Sequence, residues 1–323
     1  INIALYRDTQ AGQRDGVDFS VDAGSGVPFR LGGRLIAAVL LVGTIVSFLV
    51  LSIQVKGLDL ETETEIIAHR GASFAAPENT LAAVEAAIEA GADWVEIDVQ
   101  QTLDDEIVVI HDSDLKKVGR VPLTVAGSTA SELREVDVGS WFGEEFSDQR
   151  VPLLSEVLEL CRDRIGVNIE LKYYGGERDM ERQVAEIVEA AGMEDQVVVM
   201  SLSHAAVRTF RNLRPDWTVG LLSTVVLGDM AGLDVDFLAI NGRAASRNLV
   251  RHAQGHGKKI LVWTINDSVG ISTMTVRGVD GIITDEPALA VSVLEQRREL
   301  EPFQLILLQL ADIFDQPSRY RDQ

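Results

Sequence analysis

The sequence predicts an α/β fold, a TIM (β/α)₈ barrel with a small insertion after its second strand. Three observations lead to this prediction. Short β-branched and apolar runs recur from residue 65 to residue 287, there are eight of them, and helix-like segments lie between most of them. A doubly wound open sheet is the main alternative. Its first strand is usually followed by a glycine-rich phosphate loop, which residues 68–79 do not supply.

The predicted strands follow one another at regular intervals. In chain order they are EIIAHRG, WVEIDVQ, VNIELKY, VVVMSLS, TVGLLST, DFLAING, KILVWTIN and GIITDEP, and we expect the barrel over residues 65–300. Segments with helical spacing, such as TLAAVEAAIEA and DMERQVAEIVEAA, separate them. About 40 residues between IVVIHD and PLLSEVLELC break this alternation. We expect these residues, about 112–150, to form an insertion near the mouth of the barrel.

A long apolar segment precedes the barrel. Residues 35–55 carry no charged side chain and, at about 1.5 Å per residue, could span a hydrocarbon core of about 30 Å. We therefore expect one transmembrane helix at 34–56, between a polar arm at 1–33 and a linker at 57–64. An uncleaved or unusual signal sequence is the alternative. Arg30 and Arg34 precede the segment and only Lys56 follows it closely, so the positive-inside rule predicts a membrane protein with an extracytoplasmic catalytic domain.

Charge and the C-terminal pattern restrict the partners. A formal net charge of -21 argues against nucleic acid, because phosphate backbones require clustered lysine and arginine. A phosphate substrate is still compatible with this charge if a bound cation supplies a local positive field. Residues 301–323 form an amphipathic extension that we expect to pack on the barrel; a partner or the membrane surface are the alternatives.

Charged side chains interrupt strands that should be apolar. Glu96 and Asp98 lie two apart on the second strand and so face the same side, and Glu170 lies near the end of the next strand. Three carboxylates meeting at the C-terminal ends of strands would repel one another unless a cation lay among them. Oxygen ligands suit Mg²⁺ or Ca²⁺ better than zinc. Salt bridges with Arg70 and Lys172 are the alternative interpretation.

Two histidines complete the pattern. His69 and His111 lie near strand ends, and a charged residue follows each of them. Imidazole titrates near neutral pH, so a pair in this position suits general acid–base catalysis. We predict His69 as the base and His111 as the acid, and the residues alone allow the reverse order.

The segment HRGASFAAPENTLAAVEAAIEAGADWVEIDVQQTLDDEIVVIHD resembles the N-terminal signature of the glycerophosphodiester phosphodiesterase family, which reads HRG, PENT, G-A-D, E-x-D-V, T-x-D and HD. IELK, VWTIN, GIITDEP and GSWFGEEF resemble its later motifs, so the resemblance covers about residues 65–297. The family's usual T-x-D-G turn is T-L-D-D-E here, with Asp105 in place of glycine. We expect a changed hairpin turn and unchanged chemistry.

The resemblance implies a function and a set of site residues. It implies metal-dependent hydrolysis of a glycerophosphodiester substrate to an alcohol and glycerol 3-phosphate by histidine acid–base catalysis, with Mg²⁺ or Ca²⁺ as cofactor. The implied residues are the metal ligands Glu96, Asp98 and Glu170, the catalytic His69 and His111, the phosphate-binding Arg70 and Lys172, the pocket residue Trp263, and Glu78 and Asn79 in the loop or around the metal ligands.

Two other functions fit part of the pattern. One is a related phosphodiesterase of the phospholipase D or C type that acts on lysophospholipids or phospholipids at the membrane. The other is a membrane-anchored binding or scaffold protein without catalytic activity. A degenerate relative of that kind would usually have lost a metal ligand or a histidine, and this sequence retains them all.

Overall fold

A closed ring of eight parallel strands forms the centre of the protein, which confirms the predicted barrel. The computed structural model describes residues 41–44, 64–224 and 232–314. The first strand pairs with both the second and the last strand of the ring, and this closes the sheet. In chain order the strands are β1 (Glu65–Ala68), β2 (Trp94–Gln101), β3 (Ile107–Val109), β4 (Gly166–Leu171), β5 (Val197–Ser201), β6 (Val219–Ser223), β7 (Phe237–Asn241), β8 (Lys259–Trp263) and β9 (Gly281–Thr284), of which β3 lies outside the ring and pairs antiparallel with β2.

Helices pack around the ring. Five of them follow a residue whose side chain accepts a hydrogen bond from the backbone N–H three residues further on and so caps the first turn, namely Thr80, Thr129, Ser203, Ser246 and Asp267. The helices are α1 (Leu81–Glu89), α2 (Ala130–Arg134), α3 (Leu154–Cys161), α4 (Met180–Ala191), α5 (His204–Leu213), α6 (Arg247–Gln254), α7 (Ser268–Arg277), α8 (Pro287–Arg298) and α9 (Pro302–Phe314).

Side chains along each strand point alternately outward and into the barrel, and this produces two apolar layers. One set of strand side chains packs outward against the helices. The other set fills the barrel and includes Ile67, Met200, Phe237, Leu261 and Ile283. Since the interior is filled with side chains, a ligand can enter only at the ends of the ring, and the C-terminal ends are where the charged residues gather.

The β2–β3 hairpin leads the chain into the insertion. Asp105, which replaces the glycine of the family's turn, has φ 66° and so adopts the left-handed conformation that favours glycine and that aspartate tolerates. The backbone at this position is therefore one that glycine adopts readily. The residues that follow form a small apolar cluster of their own, which includes Leu115, Val125, Leu133 and Val138.

The described part of the C-terminal extension is helix α9. It packs against α7, and its Asp312 carboxylate accepts hydrogen bonds from Arg247 at 3.0 Å and Arg277 at 3.1 Å. Two arginines on the barrel therefore hold one acidic side chain of α9.

The predicted membrane localisation needs correction. The predicted arm at 1–33 lies outside the described residues, as do the transmembrane helix at 34–56, apart from a helical stretch at 41–44, and the linker at 57–64, apart from Thr64. In the part of the chain that the structure describes, no helix is long and apolar enough to cross a membrane. The longest of these, α9, has 13 residues and extends about 20 Å, short of the ~30 Å hydrocarbon core. This finding contradicts the prediction of a membrane protein with an extracytoplasmic domain.

Candidate active site

Most of the predicted site residues line one cavity at the C-terminal ends of the strands. The cavity encloses about 150 Å³. Of the ten predicted residues, seven line it: His69, Arg70, Glu96, His111, Glu170, Lys172 and Trp263. Asp98 is buried beside Glu96 and Glu170, while Glu78 and Asn79 lie next to His111 at a smaller neighbouring cavity. The parallel barrel thus brings together residues that are up to 194 positions apart in the sequence.

Three buried carboxylates form the centre of the site. Glu96 and Asp98 point the same way from β2, and Asp98 lies opposite Glu170 in the register of β2 with β4. Each of the three offers one oxygen within 4.8 Å of the others, and the three residues are 1%, 1% and 5% exposed. We call Glu96, Asp98 and Glu170 the acidic triad.

Two cations accompany the acidic triad. Lys172 donates to Glu170 at 3.0 Å and lies 3.4 Å from Asp98, and the Nε of Arg70 also lies 3.4 Å from Asp98. The salt bridges that the alternative interpretation required are therefore present. They do not neutralise the triad, because three carboxylates face two cations.

Burial and mutual repulsion shift the pKa values of the three carboxyl groups in the acidic triad. Burial raises the pKa of Glu96 well above its ordinary value, and the nearby Asp98 and Glu170 raise it further. Burial and Asp98 also raise the pKa of Glu170 to about 7. For Asp98, burial opposes ionisation, but Lys172 and Arg70 keep its pKa below the usual value. A buried set of oxygen donors with excess negative charge fits a hard divalent cation, which would replace the lost solvation.

The loop after β1 is shaped by its glycine. Gly71 has φ 81°, and an added Cβ would lie 2.5 Å from the carbonyl carbon of Ala83. The close approach of the loop to α1 therefore requires glycine at this position. The approach sets the backbone N–H of Arg70 2.8 Å from a carboxylate oxygen of Glu96, and it places the amide of Asn79 2.9 Å from Asp98.

Glu78 binds Arg70 and makes no hydrogen bond to the acidic triad within the described residues. Its carboxylate accepts from Nη1 of Arg70 at 3.1 Å and from Nζ of Lys117, in the insertion, at 2.6 Å. Glu78 therefore orients Arg70, whereas Asn79 reaches Asp98. The buried Nε of Arg70 forms an ion pair with Asp98 at 3.4 Å and makes no hydrogen bond among the described residues.

Each histidine has a carboxylate on its Nδ1. His69 lies 2.6 Å from Asp285, which also accepts hydrogen bonds from Asn266 at 2.6 Å and Ser73 at 2.9 Å. Burial disfavours the Asp285 anion, but these hydrogen bonds hold its pKa down at about 2. His111 lies 2.7 Å from Asp112. In both rings Nε2 is therefore left for the cavity.

Comparison with known proteins decides the family. The model of the "Glycerophosphoryl diester phosphodiesterase family" matches residues 69–289, a range that contains all ten predicted site residues. The chain belongs to the glycerophosphoryl diester phosphodiesterase family.

Relatives from bacteria support the family assignment. A glycerophosphodiester phosphodiesterase of Caldanaerobacter subterraneus is 34% identical over 243 residues, which cover 72% of this chain and 99% of the relative. One of Bacillus altitudinis is 35% identical over 247 residues, or 73% of this chain and 100% of the relative. A solved phosphodiesterase from Oleispira antarctica in complex with the product sn-glycerol-3-phosphate is 29% identical and has a TM-score of 0.69, over 72% of this chain and 96% of that one. The predicted enzyme class, glycerophosphodiester phosphodiesterase, is confirmed.

The sequence prediction missed several polar residues of this family member. Asp285, Asn266 and Ser73 surround His69, yet none of them was assigned a role. A signal was present, because Asn266 ends the VWTIN motif three residues after β8, and Asp285 lies in GIITDEP directly after β9. Gln100 was also missed, although it follows Asp98 by two positions and so faces the same side of β2.

Proposed function

We propose that this chain hydrolyses glycerophosphodiesters to an alcohol and glycerol 3-phosphate, using a divalent cation at the acidic triad and two histidines. The observation that carries the proposal is the convergence on one cavity of both imidazoles, two cationic side chains and the triad. A phosphodiester needs positive charge for its oxygens, a base for the nucleophile and an acid for the departing alkoxide. The cavity offers each of these groups.

Glu96, Asp98 and Glu170 would hold the cation, either Mg²⁺ or Ca²⁺. Bound there, it would polarise the phosphoryl oxygens and neutralise charge that develops on them. Arg70 and Lys172 add positive charge from the wall of the same cavity. Trp263 closes another side of the cavity, with its indole N–H fixed on the carbonyl of Ala239 at 3.2 Å.

The histidines would move the protons. Asp285 and Asp112 hold the Nδ1 sides, so the Nε2 atoms of His69 and His111 exchange protons with the substrate. Burial lowers the pKa of His111, and the neutral ring is the form that accepts a proton. This supports the reverse of the predicted order, with His111 as base toward the nucleophile and His69 as acid toward the departing oxygen.

A leaving-group experiment tests this order. An ester of glycerol 3-phosphate with p-nitrophenol needs no acid, because p-nitrophenolate leaves without a proton. His69→Ala should therefore lose about 10²–10⁴-fold in kcat on an alkyl ester and recover much of it on the nitrophenyl ester, while His111→Ala stays slow on both. The opposite pattern would restore His69 as the base, and wild-type turnover by both folded variants would remove the histidine mechanism.

A substrate panel tests the reaction itself. We expect glycerophosphocholine and glycerophosphoethanolamine to yield glycerol 3-phosphate, measured with a coupled dehydrogenase. EDTA should stop the release, and Mg²⁺ or Ca²⁺ should restore it. Release of phosphocholine, or full activity after thorough chelation, would overturn the proposal. Lysophosphatidylcholine belongs in the panel as the substrate of the phospholipase alternative, which the comparisons do not favour.

A further inference from the structure

The backbone at His111 lies outside the strands of the barrel. Strand β3 ends at Val109. The last backbone hydrogen bond to β2 runs from the N–H of Ile110 to the carbonyl oxygen of Asp98 at 2.9 Å. His69, by comparison, follows β1 directly and donates its N–H to the carbonyl of Thr284 on the neighbouring strand at 2.8 Å. The position of His111 must therefore be fixed by other groups.

One buried side chain meets this stretch of backbone. The Nε2 of Gln100 lies 2.9, 3.0 and 2.8 Å from the carbonyl oxygens of Ile110, His111 and Asp112. All three neighbours are acceptors, so the amide nitrogen and not the amide oxygen must face them. Gln100 is 4% exposed and lies on β2, two residues beyond Asp98, so it shares a strand with two members of the acidic triad, Glu96 and Asp98.

A second donor reaches the same carbonyl from the solvent side. The hydroxyl of Tyr174, in the loop after β4, donates to the carbonyl oxygen of His111 at 2.8 Å. Tyr174 is half-exposed, whereas Gln100 is buried. The peptide that carries His111 is thus held between Gln100 on β2 and Tyr174 in the loop after β4.

We propose that Gln100 is a positioning residue for His111. Its amide gathers three successive carbonyls that would otherwise repel one another without a donor, and this fixes the imidazole relative to the acidic triad. The inference rests on the proposed function, because it takes His111 as a proton-transfer group. Gln100 does not line the cavity, so its effect on the reaction passes through His111.

Gln100→Met tests the inference, with Gln101→Met as the matched control. Methionine keeps the length of glutamine and removes the donor. The control changes an equally buried glutamine on the same strand whose amide binds the carbonyl of Arg178 and the side chain of Gln183. Because a displacement near 1 Å costs about 10²-fold, we expect Gln100→Met to lower kcat about 10- to 100-fold with KM within twofold of wild type, and Gln101→Met to keep both.

The double variant His111→Ala/Gln100→Met separates positioning from a general structural effect. If Gln100 acts through His111, the double variant should turn over as slowly as His111→Ala, within twofold. A further 10-fold loss in that background, a raised KM, or a Gln100→Met protein with wild-type kcat would overturn the inference while leaving the proposed function intact. A wild-type protein that releases no glycerol 3-phosphate would refute the proposed function and, with it, this inference.

Tyr174→Phe keeps the inference testable should Gln100→Met fail to fold. Tyr174 reaches the same carbonyl from the half-exposed side, so its replacement leaves the core intact. We expect kcat to fall about 2- to 10-fold, the equivalent of one neutral hydrogen bond, in the wild-type background and not in His111→Ala. An equal fall in both backgrounds, or none in either, would count against positioning through this carbonyl.

Discussion

Replacing Glu96 by glutamine separates the electrostatic role of the acidic triad from its shape. The triad faces two cations, Arg70 and Lys172, so full ionisation leaves one negative charge in excess. At 4.8 Å, the largest separation within the triad, a like-charge pair costs about 3–4 kcal/mol at an effective dielectric constant of about 20. Burial and this repulsion raise the pKa of Glu96. Glutamine removes the charge and can still accept the backbone N–H of Arg70.

Protonation of Glu96 sets an upper limit on how much this buried carboxyl group can destabilise the folded protein. At pH 7, keeping a carboxyl with an ordinary pKa of 4.5 protonated costs at most about 3 kcal/mol. We therefore expect Glu96→Gln to raise the free energy of unfolding of the cation-free protein by about 1–3 kcal/mol at pH 7. Because the pKa of Glu96 is raised in the folded state, wild type has no deficit below pH 4.5, and its deficit grows as the pH rises above that value.

Urea unfolding followed by circular dichroism measures the stability difference between Glu96→Gln and wild type, both as a function of pH and with and without a divalent cation. In EDTA, Glu96→Gln should exceed wild type in stability at pH 8 and by less at pH 5. With Mg²⁺ or Ca²⁺ at 100 times its dissociation constant, wild type should gain about 2.7 kcal/mol and the variant much less. Glu65→Gln, on β1 and away from the triad, is the control and should gain as wild type does. A wild type insensitive to both cations, with a variant less stable than wild type in EDTA, would refute the reasoning.

Three further changes test other contacts. Asp285→Asn should lower the free energy of unfolding by about 2 kcal/mol at pH 7, because the pKa of Asp285 in the folded protein, about 2, lies below the ordinary 3.8. Urea unfolding should show that the difference from wild type shrinks between pH 4 and pH 2. A difference that stays constant over this range would contradict the prediction. Asp312→Asn removes the negative charge that two arginines share on α9 and should cost about 1–3 kcal/mol, seen as faster chymotryptic cleavage within α9, which contains Phe303 and several leucines. An unchanged rate would count against it. Gly71→Ala should cost about 2 kcal/mol or more, and an unaltered Tm would disprove the predicted clash with Ala83.

The acidic triad could be predicted because its geometry follows from local rules. Two carboxylates two residues apart on a strand share a face, and adjacent parallel strands bring their C-terminal ends together. The register of Asp98 opposite Glu170 then follows from the pairing of β2 with β4. The eight strands were predictable for a similar reason, since each is a short apolar run and helical segments lie between most of them.

The partners of the histidines depend on contacts between distant parts of the chain. Asp285 lies 216 residues from His69 and meets it only because β1 pairs with β9 when the ring closes. The hydrogen bonds from Gln100 to the backbone around His111 depend on the path of the chain after β3. No periodicity in the sequence predicts that path. The membrane prediction used the uncharged run at residues 35–55. Such a run indicates preference for an apolar solvent and does not itself show a helix of the required length.

Charge accounting connects the acidic triad with the type of substrate. The triad and the two cations that touch it carry one excess negative charge, so a divalent cation would leave this group with one positive charge. A phosphodiester carries one negative charge, which this group would neutralise. The product glycerol 3-phosphate, as a phosphomonoester, carries about 1.5–2 negative charges at pH 7, which would leave an uncompensated fraction in a buried site. In the proposed reaction, the same residues that favour diester binding therefore also favour release of the monoester.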